Sequence, residues 1–562
     1  MRNRVFSRGA FLVAAGLTCA LAAYGLGFVT AERDLYPSRY ITQGQEKLGR
    51  LFRAALPEGR VTRRTLSTMF VRLRLDETSV PVSRAGDGGG MTSLGDDVVL
   101  LTHEGTVFEI SGTEVRATAI TVPDNGYDSY RAAAETSRYQ GYRHRFGSFR
   151  YNDILYFSDG AQAGLAVSYT EWLDAEACYG AAVALLPLSP ADDSVRKIEA
   201  RSDLRWEVIY RSRPCLPLKR EFNAIEGHLA GGRMAYRAPG RLLIGIGDHH
   251  WDGVYAAKAL AQERDNDYGK VIEIDLARRT ARHVSIGNRN VQGIAVDRSG
   301  DIWAVEHGPR GGDELNLIED GRNYGWPLAT LGTRYNALPW PSAGQYGRHD
   351  DFTAPAFAFV PSVAPSNLIQ VENFDPSWDG DLLVASLKAR SLYRLRIADR
   401  RVAFAEPIAV EQRIRYVHQH GDGTIYLYTD SNRLIAVSRD EVSPTQSFID
   451  ELVARLELEP ERHRRLADAI AACRECHAFE AGDNSQAPSL GTVFGQPVAA
   501  GPYASYSDSL ARHGGTWTED ELKKFLADTR AYAPGTAMPR TDLAGETIGD
   551  LIDVLKGLEA VE

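Results

Sequence analysis

The sequence predicts a mainly β chain: a six-bladed β-propeller, then a small all-α domain, with an apolar helix at the N-terminus. Three observations predict this. Between about residues 65 and 440 a unit recurs six times, made of an apolar strand after Asp or Gly, a turn, and a second alternating strand. After Ser443 the pattern changes to helical periodicity rich in Glu, Arg, Leu and Ala. At the start, an uncharged run from about Gly9 to Thr30 follows Arg2, Arg4 and Arg8.

The N-terminal run is long enough to cross a bilayer as a helix, and the arginines before it predict a cytoplasmic N-terminus. Val29, Thr30 and Ala31 also form a small-residue cleavage site, so a signal peptide is the rival reading. The run is long for a signal core, which favours an uncleaved anchor over residues 1–31. On either reading the rest of the chain is exported, to the periplasmic side of the inner membrane. Residues 32–64 are charged and mixed and read as a linker with a short helix. The net charge of -10 argues against a nucleic-acid partner. Of five cysteines, Cys19 lies in the anchor, while Cys178 and Cys215 are either a disulfide or two buried thiols.

Residues 65–442 carry the propeller. The leading strands of the repeat are DVVLLTHEG, NDILYFSDG, GRLLIGIGD, GDIWAVEHG, GDLLVASLK and GDGTIYLYTD. Their uneven spacing implies long inserted loops. A large β-sandwich is the alternative, but six similar hairpins with no helical pattern between most of them favour blades.

Residues 446–562 form the helical domain. Cys473-Arg474-Glu475-Cys476-His477 is C-x-x-C-H, the attachment signal for c-type haem. Two thiols add to the haem vinyl groups and the next imidazole, His477, meets the iron. A zinc site would need a second cysteine pair, which the chain lacks. Met538, in the loop PGTAMP, is placed to offer a thioether to the other face of the iron, a pairing suited to electron transfer. With APSL and YSDSLARHGGTWTEDELKKFLAD, this segment resembles class I cytochrome c over nearly its whole length. The resemblance implies that Pro488 lines the proximal side of the haem and that Trp517 packs near a propionate.

The propeller stretch contains RNVQG from Arg289, EHGPRGGDELN from Glu306, NYGWP from Asn323, SLKARSLYRL from Ser386 and RIRYVHQHGDGTIYLYTD from Arg413. With these it resembles the glucose/sorbosone dehydrogenases, aldose dehydrogenases that use pyrroloquinoline quinone (PQQ). The likeness spans about residues 85 to 440 and is faint before residue 225. PQQ is a planar tricarboxylate, and arginine forks bind carboxylate in bidentate fashion. Arg413 and Arg415, two apart on a strand, are expected on one face, with Arg289, Asn290, Gln292 and Lys388 at the same mouth. The resemblance implies that backbone carbonyls of Gly308 and Pro309 hold a calcium ion beside the cofactor, with Asp313 bracing their loop. It also implies a catalytic base at His228, assisted by Asp248, with Arg289 at the reacting centre. His228 lies five residues before Arg233 where the family pattern has four, and His249 and His250 are substitutes in a remodelled mouth. Tyr416 stands where the family usually has Asp.

The expected function is a membrane-anchored periplasmic quinohaemoprotein. It oxidises an aldose, or a related sugar or alcohol, to a lactone with PQQ, and passes electrons through haem c to a respiratory acceptor. Two rivals remain: a six-bladed calcium hydrolase or lactonase, and a non-catalytic propeller that docks a partner for the cytochrome.

Overall fold

A computed structural model describes residues 61–83, 87–136, 149–160, 162–218, 228–440, 444–474, 476–479, 487–501, 503 and 505–559. The anchor expected over residues 1–31 and the linker helix lie outside them. Among the described residues no helix is long and apolar enough to cross a membrane. The chain divides into two compact units, Met1–Asp440 and Glu441–Glu562.

The first unit is a propeller of six antiparallel blades. The innermost strands, in order, are Gly90–Leu94, Tyr151–Ser158, Gly231–Arg237, Val291–Val296, Pro365–Gln370 and Ile414–Gln419. The ring closes in the last blade, where Arg72–Ser79 from the start of the chain pairs with Arg433–Arg439 from its end. A further strand, Thr62–Ser67, extends that blade, so sheet begins inside the stretch read as linker. The recurring apolar strand also takes a place that differs from the one expected. In five blades it is the second strand, and only Tyr151–Ser158 is innermost. The other innermost strands, such as GMTSL, VQGIAV and IRYVHQ, are short and interrupted by glycine or polar residues, because they crowd around the axis rather than between apolar layers. The core lies between blades: Leu243, Val271, Val291, Ile294 and Ala304, for instance, form one interblade cluster.

Antiparallel pairing fixes where function can sit. Innermost strands start, and second strands end, at one end of the ring. Residues just before the former and just after the latter therefore gather at one mouth. Cys178 and Cys215 are joined in a disulfide that ties Cys178–Leu188 to the strand Leu216–Pro217 in the second blade.

The second unit is helical. Pro460–Arg474 and Gly545–Glu559 pack through Leu466, Ile470, Leu551, Ile552 and Leu555, joined by Phe525 and Trp517. Thr518 caps Glu519–Ala527 by accepting from Glu521 N.

Candidate active site and haem-binding unit

The axis of the propeller is filled by a residue that sequence reading used only as a spacing mark. Arg233, on the third innermost strand, is buried. Its Nη1 donates to Gly89 O and Asn152 O, both at 2.6 Å. Its Nε donates to Gln292 O and Ser366 O at 3.3 Å, and its Nη2 to Arg415 O at 3.1 Å. One guanidinium thus bonds a carbonyl from each of the other five blades. The ring of Tyr416 lies 4.6 Å from it and the carboxylate of Asp153 3.9 Å away. Burial pushes the Asp153 carboxyl up to about 6. Where Tyr416 stands in place of an acid, the negative charge beside Arg233 comes from another blade.

Above this axle lies the mouth. Arg289 stands with its guanidinium 4.9 Å from the Trp326 ring, and Nη1 donates to His307 O at 3.0 Å and Gly308 O at 2.9 Å. Among the described residues its buried Nε has no hydrogen-bond partner. Its backbone N donates to Glu306, which also accepts from Asn288 and Asn316. Gln292 Nε2 donates to Asn290 Oδ1 at 2.9 Å. His307 donates through Nε2 to Pro365 O at 2.7 Å, and burial lowers its pKa to about 4, so the ring is neutral. A small cleft that opens to solvent is lined by Arg289, Glu306, His307, Gly308, Glu314 and Trp326.

Arg413 and Arg415 share one partner across the blade. Arg413 Nε bonds Asp430 Oδ2 at 2.9 Å and Arg415 Nε bonds Asp430 Oδ1 at 2.8 Å. Asp430 was not singled out in the sequence; its signal was an acid closing the strand IYLYT. Lys388 is exposed at the rim, where its backbone N bonds Val363 O.

His228 is half-buried, with its ring 6.1 Å from that of His250. The extra residue before Arg233 lies in a stretch with three departures from ordinary backbone in four residues: Leu229, Gly231 and Gly232 all have positive φ, at 54°, 67° and 96°. Asp248 makes two contacts beside its expected role. Its Oδ1 accepts from His250 N at 2.9 Å and its Oδ2 from Trp326 Nε1 at 2.6 Å, so it fixes the indole beneath Arg289. Burial, then the charge of Asp252, push the Asp248 carboxyl up to about 7, against the pull of Arg289. His249 is buried, with the rings of Tyr179 and Tyr268 edge-on to its own. His250 lies against Tyr255, with Nδ1 3.9 Å from Asp252.

The loop at Gly308 and Pro309 is braced by Asp313. Its Oδ1 accepts from Gly308 N at 3.0 Å, and its Oδ2 accepts from Ser362, Val363 and Ala364. A Cβ at Gly308 would come within 2.3 Å of two backbone oxygens, so only glycine fits there. The fit to calcium is incomplete on protein donors alone. Two carbonyls fall short of the six to eight oxygens calcium takes, and Gly308 O already accepts from a guanidinium. The fit to a planar polyanion is better: Arg289, with a buried Nε that makes no hydrogen bond among the described residues, lines the cleft, and the arginine pair adds cations at the same end of the ring.

In the helical unit Cys473 and Cys476 are free thiols. His477 Nδ1 donates to Pro488 O at 2.7 Å, which sets the tautomer and leaves Nε2 for a metal. Met538 packs at the edge of the same apolar core, its loop held by Thr529 Oγ1 on Pro539 O at 3.1 Å. These residues fit a covalently attached haem.

Known proteins share both halves. The family profile of glucose/sorbosone dehydrogenase matches residues 194–436. An aldose sugar dehydrogenase, YliI, of Escherichia coli is 30% identical over 306 residues, 51% of this chain and 76% of that protein. The chain belongs to the glucose/sorbosone dehydrogenase family. An uncharacterized protein of Synechocystis is 33% identical over 249 residues, and this family member spans 58% of that protein's length. The crystal structure of the soluble aldose sugar dehydrogenase from E. coli in its apo form aligns over 65% of this chain and 99% of that one, with TM-score 0.51 and 25% identity. The C-terminal part of this dehydrogenase-family chain is similar to cytochrome c2 iso-2 of Magnetospirillum molischianum, 36% identical over 97 residues and the whole length of that protein.

Proposed function

We propose that this chain is a cytochrome-linked, PQQ-dependent sugar dehydrogenase that oxidises an aldose, or a related sugar or alcohol, to its lactone. The carrying observation is the mouth itself, where Arg289 with its unpartnered Nε stands over Trp326 in a family propeller that continues into a haem-binding unit. Arg413, Arg415 and Lys388 would hold the cofactor's carboxylates, and Arg289, Asn290 and Gln292 would supply donors for its quinone oxygens. Bound PQQ supplies a two-electron acceptor, and haem c a one-electron relay to a respiratory acceptor. His228 takes the proton of the anomeric hydroxyl. Asp248 holds Trp326 and the backbone of His250, and so positions Arg289. Gly308 and Pro309 offer carbonyls to calcium only together with cofactor oxygens and water. Cys473 and Cys476 hold the haem, and His477 and Met538 its iron. Tethering both centres in one chain gives a high effective concentration for electron transfer. The apolar segment 1–31 anchors the protein on the periplasmic side of the inner membrane, or directs it there if cleaved.

The calcium hydrolase reading places a cation on the propeller axis among carboxylates. Arg233 occupies that axis with a buried positive charge, which opposes it.

The test is an anaerobic stopped-flow spectrum of haem-loaded protein, truncated before residue 32, supplied with calcium and PQQ and mixed with a panel of aldoses. Haem reduction that needs PQQ and sugar together supports the proposal. PQQ binding with haem left oxidised by every sugar favours the docking module. No PQQ binding overturns the quinoprotein reading.

A further inference from the structure

The carbonyls that Arg233 collects put the blades in a common register. They belong to Gly89, Asn152, Gln292, Ser366 and Arg415. Two residues earlier stand Asp87, Arg150, Asn290, Ala364 and Arg413. Arg150, in the second blade, is therefore the structural counterpart of Asn290 and Arg413, both assigned above to the cofactor. No sequence motif marks it, because the likeness to the family is faint before residue 225.

The local geometry agrees with that placement. Arg150 precedes the innermost strand Tyr151–Ser158, at the mouth end. Its Nε donates to Asn152 Oδ1 at 3.3 Å, while Asn152 O accepts from the axle. Its Cδ lies where a Cβ on Gly88 would approach to 2.7 Å, so the side chain rests on that glycine. The neighbouring Asp87 reaches Arg415 Nη2 at 3.6 Å. Arg150 and Arg415 thus flank one strip of the first blade.

Asp430 offsets Arg413 and Arg415. Among the described residues no carboxylate lies in ion-pair range of Arg150, and its two terminal nitrogens make no hydrogen bond. Burial, then the charge of Arg415, lower its pKa to about 10; Arg233 adds to this and Asp87 partly opposes it. A guanidinium in such surroundings gains most from an anion, and its fork suits a carboxylate.

We propose that Arg150 binds a carboxylate, forming with Arg415 a subsite at the propeller mouth for one carboxylate of the bound ligand. This rests on the dehydrogenase reading above. The carboxylate has two sources, the cofactor itself or an acidic sugar such as an aldonate or uronate.

The test compares wild type, Arg150→Gln and Arg150→Lys as full-length haem proteins, with thermal unfolding and the haem spectrum as controls of folding. PQQ affinity is measured by fluorescence titration with calcium, and kcat/KM for galacturonate against galactose. An R150Q loss of PQQ affinity of about tenfold or more, partly restored in R150K, supports the subsite and assigns it to the cofactor. Unchanged PQQ affinity with a tenfold fall in the galacturonate-to-galactose ratio supports it and assigns it to the substrate. If wild type binds PQQ and neither quantity moves, the subsite is overturned and the dehydrogenase reading stands. If wild type binds no PQQ, that reading falls. The subsite then survives only if galacturonate raises the melting temperature of wild type and not of R150Q. Should R150Q not fold, R150K decides alone: affinities equal to wild type overturn the proposal, because an ammonium cannot replace a bidentate fork.

Discussion

Replacing Arg233 by Met removes the axle while keeping most of its length. Five backbone carbonyls from five blades lose a donor, two of them from bonds of 2.6 Å. Asp153, also buried, loses the cation 3.9 Å away. Leaving one buried polar group unpaired costs about 1–3 kcal/mol, but water entering the vacated space restores part, and desolvation of the arginine no longer has to be met. The net loss is about 3–5 kcal/mol, the range found when one partner of a buried charged contact is removed. That is a large share of the roughly 5–15 kcal/mol by which domains are stable. Urea unfolding followed by tryptophan fluorescence measures it, since seven of the eight tryptophans precede residue 441. Haem absorbance reports the helical unit as an internal control. The loss should be smaller at pH 5 than at pH 8, because Asp153, without its cation, takes up a proton. A loss under about 1 kcal/mol, or one independent of pH, would refute the axle as a stabilising contact.

Three further outcomes follow. His228→Ala should lower kcat by about 10²–10⁴-fold with PQQ affinity unchanged, as removal of a general base requires; equal activity would move the base elsewhere. Removing the disulfide by Cys178→Ser with Cys215→Ser should cost about 4 kcal/mol, from a sequence separation of 37 and chain-entropy scaling, read as a lower urea midpoint. For pH, the Asp248 carboxyl is raised to about 7 in the fold from a usual 3.8. The folded state therefore holds a proton that the unfolded chain has released, and Asp248 makes stability fall as pH rises from about 4 to about 7. His307, lowered to about 4, acts oppositely, losing stability as pH falls below about 6.5. Asp248→Asn should therefore flatten the decline above pH 5 and leave a loss toward acid; an unchanged profile would contradict the burial of Asp248.

The amino-acid order alone determined the number of blades and the C-x-x-C-H spacing at Cys473, Cys476 and His477, and it marked Arg289, Lys388, Arg413 and Arg415 as candidate cations of the mouth. These are local signals: strand periodicity, a fixed cysteine spacing, and arginines at strand starts. The innermost strands escaped the repeat because residues around an axis pack against one another across blades, so they carry no two-faced alternation. Arg233 and Arg150 escaped as functional residues for a related reason. Each acquires its role from carbonyls or charges scattered over more than 300 residues of chain, brought together only when the first strand closes the last blade. Asp153 beside Arg233 is the same kind of fact, joining two neighbouring blades, whereas Asp430 meets the arginine pair across its own hairpin. Tertiary structure decided them, because electrostatic pairing depends on distance in space, and a ring of six blades makes neighbours of its two ends.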